Sequence, residues 1–212
     1  GDLKISVFEF IVMIIVLYNQ IMYIPQSSKY KSVVVELSAS LSFMIFCNGV
    51  LSCINGTEFF GSYYINYVFT VIYFILNGLV PLLWFKYMYI FYDTSPKKST
   101  SYITTIPYLL YLLLIFINCF TDLFFYIDSN NRYQRGDGFW LIVVLSVIYI
   151  IASVVVIVLA ITRNRCFRSE GKHILSGMLW VALGIVLQLY FWEDSFVLLT
   201  FLLFMLIVFL RF

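Results

Sequence analysis

The chain has 212 residues, of which 63% are hydrophobic and 11% charged, with a net charge of +2. Soluble domains carry about a quarter charged residues, so this composition excludes an ordinary soluble fold. The small net charge and the lack of a basic aromatic patch exclude nucleic-acid binding.

Seven apolar stretches follow along the chain: Ile5 to Ile24, Val33 to Ile54, Tyr64 to Tyr92, Ile103 to Ile127, Phe139 to Thr162, Ile174 to Trp192 and Phe196 to Leu210. A helix needs roughly 20 apolar residues to cross a hydrocarbon core about 30 Å thick. The first five meet that length, and the last two are shorter with few internal charges. None alternates as a membrane barrel strand does. Backbone groups in lipid must pair internally, so each stretch is predicted to be a helix. The expected fold is all-α: one polytopic seven-helix transmembrane bundle over residues 1–212. Pro81 and Pro107 are expected to kink spans three and four or break their regular hydrogen-bond ladder. Ser38, Ser42 and Gly49 on span two, and Gly177 and Gly184 on span six, make small faces for close helix approach.

Basic residues mark cytoplasmic loops. Lys29, Lys31, Lys97, Lys98, Arg163, Arg165, Arg168, Lys172 and Arg211 fall on one side of a seven-pass chain, nine in number. Lys4, Arg132 and Arg135 fall on the other, and Lys86 lies within span three toward the basic end. The amino terminus is therefore expected outside and the carboxyl terminus in the cytoplasm. The chain stops directly after the last span, which reads as a fragment from which a cytoplasmic output domain is missing.

Several chemistries are absent. His173 is the only histidine, which rules out bis-histidine haem and a histidine-rich metal centre. Cys47, Cys53, Cys119 and Cys166 lack metal-ligand spacing and read as packing residues. Span seven has no lysine for a retinal Schiff base, and span three ends Phe91-Tyr92-Asp93-Thr94 instead of in an Asp-Arg-Tyr triplet. No phosphate loop, nucleophile elbow or zinc-protease motif appears, so no enzyme and no cofactor are expected. Asn55-Gly56-Thr57 matches a glycosylation sequon on the outer side, a match that arises often by chance.

Charged residues inside a span are costly and are functional candidates. Asp122 lies in the outer half of span four. Asn118, Asp122 and Tyr126 follow at steps of four and share one helical stripe. An interhelical hydrogen-bond cluster is an equally good reading of that stripe. Residues 128–140 are the most polar outer segment. Ser129-Asn130-Asn131 signals a turn, and Tyr133 between Arg132 and Arg135 suggests a short hairpin or a folded lid. Both arginines present planar donors for a carboxylate. An ordinary solvated loop with an aromatic belt explains the same residues. The sharper expectation is a pocket opening outward between spans three to six. Asn118, Asp122 and Tyr126 would form its wall and Arg132, Tyr133, Arg135 and Trp140 its lid, with Trp192 and Glu193 nearby. Such a site suits a small amphipathic ligand.

Asn118-Cys119-Phe120-Thr121-Asp122-Leu123-Phe124-Phe125-Tyr126-Ile127-Asp128, followed by Tyr133, Arg135, Gly136 and Phe139-Trp140, resembles a segment of certain bacterial sensors. These are the amino-terminal membrane regions of diguanylate cyclases (GGDEF proteins) and of related sensor histidine kinases. The resemblance covers roughly residues 108–140. It departs at Asp122, where the family often has a small residue, and at Asp137-Gly138, where a proline and an apolar residue are usual. It implies seven helices in the bacterial plasma membrane, with an output domain after the last. It also implies a signal-input role in c-di-GMP synthesis or phosphorelay, and a homodimer formed through the downstream region. The family's catalytic motifs lie in that output domain. A small transporter is the rival reading, although no pair of similar halves is visible.

Overall fold

The computed structural model describes residues 2–23, 31–92, 103–163, 171–179 and 183. Within them the chain is a helical bundle with one small hairpin. α1 (Asp2–Tyr23), α2 (Lys31–Ile54) and α3 (Ser62–Tyr92) come first. α4 (Ile106–Thr121) leads into strands β1 (Phe125–Ile127) and β2 (Tyr133–Arg135). α5 (Phe139–Arg163) follows, and residues 171–179 form a further helical segment, α6. The apolar runs become helices because an unbroken helix pairs its own backbone groups. α2, α3 and α5 are long and apolar enough to cross a membrane, whereas α4 is shorter at 16 residues. Most of span six and all of span seven lie outside the described residues.

α3 is the centre. α2, α4, α5 and β1 all pack on it, and α1 packs on α2. Phe10 meets Phe46 at 6.0 Å between rings, and Phe46 meets Phe69 at 6.3 Å. An early residue of α1 thus sits beside a late residue of α2 and an early one of α3, so successive helices run antiparallel. The larger core joins Leu37, Leu41 and Met44 of α2 to Val80, Trp84 and Met88 of α3. Ile157 of α5 and Ile174 and Met178 of α6 complete it. Ser38 and Ser42 are buried in the α2 face, and the Ser42 hydroxyl donates to the Ser38 carbonyl at 2.8 Å, so no polar atom is stranded there. A Cβ on Gly78 would come within 2.6 Å of the Tyr111 ring, so this glycine allows α3 and α4 their close approach.

Span four differs from the expectation. Its helix ends at Thr121, and residues 125–127 form a strand instead of a last helical turn. Asn118, Asp122 and Tyr126 therefore do not share a helical stripe. The physical reason lies at Asp122, whose left-handed φ of 54° stops the helix. Of the two prolines, Pro107 departs from the expected kink. α3 continues through Pro81, and Pro107 sits in the first turn of α4, where a missing N–H costs nothing. The start of α4 is closed from outside. The Tyr149 hydroxyl donates to the Thr104 carbonyl at 2.7 Å and accepts the Tyr108 N–H at 2.9 Å.

Candidate functional site

The polar ends of α2, α3 and α4 meet at one end of the bundle, together with the hairpin. The site begins where α4 stops. The Asp122 N–H closes on the Asn118 carbonyl, and the chain then doubles back along its own helix end. The Asn118 side chain secures the reversal. Its Oδ1 accepts the N–H groups of Phe124 and Phe125 at 2.7 and 3.2 Å, and its Nδ2 donates to the Phe125 carbonyl at 2.9 Å. β1 and β2 pair antiparallel with Tyr126 opposite Gln134. Gly136 and Gly138 donate to the carbonyls of Phe124 and Leu123, which ties the entrance of α5 to the exit of α4. A Cβ on Gly136 would collide with the Leu123 carbonyl, so only glycine fits there.

The hairpin turn is organised by Asp128. Its carboxylate accepts the N–H groups of Asn130 and Arg132, each at 2.9 Å, and the Gln134 amide at 3.2 Å. The Arg132 N–H bond is the main cause that holds the Asp128 carboxyl below its ordinary pKa. A depressed carboxyl contributes stability above its unfolded value, and the contribution fades as pH falls through the folded one. The turn is therefore expected to be intact at neutral pH and to loosen only below the ordinary value of 3.8. Amide exchange at Asn130 and Arg132 measured against pH checks this. Asp128→Ala should speed exchange at both amides while leaving the helices protected, and unchanged exchange would refute the role.

At the tip Asn131 clamps three elements. It is buried with a left-handed φ of 55°, which asparagine tolerates better than most residues. Its Nδ2 donates to the carbonyls of Ile54 and Thr57 at 3.1 and 2.8 Å. Its own carbonyl accepts the Gly56 N–H at 2.7 Å. Asn66 of α3 donates to the Asn131 carbonyl and to its Oδ1 at 2.9 and 3.0 Å. Asn55 completes the link by accepting the Tyr133 N–H at 2.8 Å. The α2–α3 turn, the flank of α3 and the hairpin are thus one hydrogen-bonded unit.

Beneath the clamp the hairpin lies along α3. Phe125 stacks on Phe74 with ring centroids 4.5 Å apart and planes 8° from parallel. Tyr133 and Phe139 approach the same Phe74 ring at 6.1 and 6.2 Å. Phe74 is twelve residues along α3 from Ser62, so α5 begins about 18 Å along α3 from its Ser62 end at 1.5 Å per residue. The hairpin fills the space left beside those first turns of α3. The Arg135 guanidinium rests 4.7 Å over the Phe139 ring, a cation–π geometry. Burial pushes the Tyr133 phenol up from its ordinary value, and neighbouring Tyr73 adds to this while Arg135 opposes it.

The expected site residues separate into two groups. Asn118 is fully buried and its carboxamide is engaged by backbone, so it is a positioning residue. Tyr133 and Arg135 come together on the Phe74–Phe139 cluster. Asp122, Tyr126, Arg132 and Trp140 are exposed, and Tyr126 points away from the face that buries Phe125 and Ile127. Trp192 and Glu193 lie outside the described residues. Between the hairpin and helices α3, α4 and α5, the space is packed with Phe74, Tyr111, Ile115, Phe124, Phe125 and Ile142. Sequence sets Asn131 in a turn and Asn55 in a sequon but does not join either of them, or Asn66, to the site. The Asn-Gly pair at 55–56 and the Asn-Asn pair at 130–131 were the available signals, both favouring turns with positive φ. The chain matches no family model, no curated protein and no solved structure.

Proposed function

We propose that this chain is the signal-input region of a bacterial membrane sensor. It has seven membrane-crossing helices, an outside amino terminus and a cytoplasmic carboxyl terminus, and lies in the plasma membrane. A stimulus at the outer hairpin shifts the helices, and the shift passes inward to a diguanylate cyclase or histidine kinase domain. Helix translations of about 1–2 Å are sufficient for such switching. The observation that carries the reading is the Asn131 clamp, with Asn66 and Asn55, because it joins the α2–α3 turn to the strand that leads into α5. The resemblance over residues 108–140 supplies the output class. The exposed Asp122, Tyr126, Arg132 and Trp140 are the groups a small amphipathic ligand meets first. Arg135 and Tyr133 lie deeper, and Asn118 holds the scaffold beneath them. The membrane region itself carries no catalysis in this reading, needs no cofactor, and dimerises through the output domain.

The test is made on the full-length gene product in proteoliposomes. Conversion of GTP to c-di-GMP, or phosphate transfer from ATP to a histidine, is expected, together with a change of that output in Asn131→Ala. Absence of both activities overturns the reading. Orientation has its own test. Cys53 is exposed in the last turn of α2, beside the clamp. With Cys47, Cys119 and Cys166 changed to serine, a membrane-impermeant maleimide added to intact cells should label Cys53. Labelling only after permeabilisation would invert the topology.

A further inference from the structure

Three Asn-Gly pairs occur in the chain, at 48–49, 55–56 and 77–78. An asparagine followed by glycine is open to self-modification, because glycine has no side chain to keep its nitrogen away from the asparagine carboxamide. Asn48-Gly49 lies inside α2 and Asn77-Gly78 inside α3, where the helical ladder holds each glycine nitrogen. Asn55-Gly56 immediately follows α2, and both residues are exposed. Gly56 has a left-handed φ of 78°. A Cβ on Gly56 would lie 3.5 Å from Arg132 Nε, so a guanidinium stands beside this pair.

The hairpin holds both of the groups that would react. The Gly56 N–H donates to the Asn131 carbonyl at 2.7 Å, and a carbonyl does not take the proton that this nitrogen must lose to become a nucleophile. Asn55 Oδ1 accepts the Tyr133 N–H at 2.8 Å, which fixes the carboxamide toward β2. The Asn55 N–H donates to the Leu51 carbonyl at 2.9 Å and the Thr57 N–H to the Ile54 carbonyl at 3.0 Å, so the backbone on either side is pinned too. Joining Asn55 Cγ to the Gly56 nitrogen requires the carboxamide to turn away from Tyr133 and Gly56 to release Asn131. Opening an exposed turn costs less than unfolding the whole protein. Ring closure at this pair therefore reads the clamp and not the global fold.

We propose that Asn55-Gly56 is a self-modification site gated by the asparagine clamp, an irreversible record of how long the hairpin has stood open. In the open state the Gly56 nitrogen gives its proton to water or hydroxide and attacks Asn55 Cγ. The bond from Cγ to the side-chain nitrogen breaks, ammonia leaves, and a succinimide remains. Water then opens the ring: attack at Cγ gives aspartate, and attack at the main-chain carbonyl gives isoaspartate. No oxidant or reductant takes part. The positive charge of Arg132 favours the anionic intermediate and the carboxylate product. Aspartate still offers Tyr133 an acceptor, whereas isoaspartate lengthens the main chain by one carbon and moves Gly56 out of register with Asn131. The site stands whether or not the sensor reading does.

The test follows all three Asn-Gly pairs of the full chain in nanodiscs at mildly alkaline pH, by peptide mass spectrometry with isoaspartate detection. Asn131→Gly lacks the side-chain bonds to Ile54, Thr57 and Asn66. It should convert Asn55 at least about tenfold faster than the parent protein does, with Asn48 and Asn77 unchanged in both. Equal rates at Asn55, or a parallel rise at Asn48 and Asn77, overturns the gate. A second readout uses parent protein aged until isoaspartate accumulates. Isoaspartate chains should lose amide-exchange protection at Gly56 and Tyr133, and full protection there overturns the record.

Discussion

Asn118→Ala is expected to destabilise the protein by about 3 kcal/mol or more. One carboxamide serves three backbone groups there: the N–H groups of Phe124 and Phe125 and the carbonyl of Phe125. Both phenylalanines are buried, so water cannot replace the lost partner at low cost. Each stranded backbone group in such a place costs about 1–3 kcal/mol. Asn118→Asp separates the contributions, because it keeps the acceptors, removes the donor to Phe125 and introduces a buried charge. It should destabilise as well, although a carboxylate would satisfy a cationic ligand. Unfolding of the purified protein in nanodiscs, followed by tryptophan fluorescence, measures both. A loss below about 1 kcal/mol for Asn118→Ala would mean that the α4–β1 reversal is held by something else.

The apolar runs were legible because the requirement to pair backbone groups in lipid leaves few alternatives. α1, α2, α3 and α5 start and stop within a few residues of the stretches read from composition. Span four was not legible to its end. Phe124, Phe125 and Ile127 are as apolar as the helix before them, so hydropathy alone continues the helix. What ends it is a backbone choice at Asp122 and a side-chain cap from Asn118, neither of which changes the apolar pattern. The polar segment after Asp128 did announce a turn, through its Ser-Asn-Asn run and its glycines. Its partners were hidden for a different reason. Asn66 and Asn131 are 65 residues apart, and a hydrogen bond between distant asparagines leaves no periodic trace in one sequence. Asn118 illustrates the same limit from the other side. A polar residue inside an apolar stretch invites a ligand reading, and here backbone groups of the following strand take up its carboxamide.

Asn131→Ala is expected to loosen the cap formed by the hairpin and the α2–α3 turn while leaving the helices formed. Three side-chain bonds disappear, those to Ile54, Thr57 and Asn66, while the Asn131 carbonyl still accepts from Gly56 and from Asn66. Alanine must also hold the left-handed φ of 55°, which costs about 1–2 kcal/mol for a residue with an ordinary Cβ. Asn131→Gly removes the same side-chain bonds without that strain. The difference between the two variants therefore reads the backbone strain, and the loss in the glycine variant reads the clamp, expected at about 2–3 kcal/mol from net values near 1 kcal/mol per bond. Amide exchange locates the effect. Gly56 and Tyr133 should lose protection together, because their N–H groups close the turn onto the hairpin. Protection should persist at Phe124 and Phe125, whose N–H groups depend on Asn118. If Asn131→Gly exchanged like the parent protein at Gly56 and Tyr133, the cap would be held by its aromatic stack on Phe74, and the asparagine clamp would not be the joint through which the α2–α3 turn feels the hairpin.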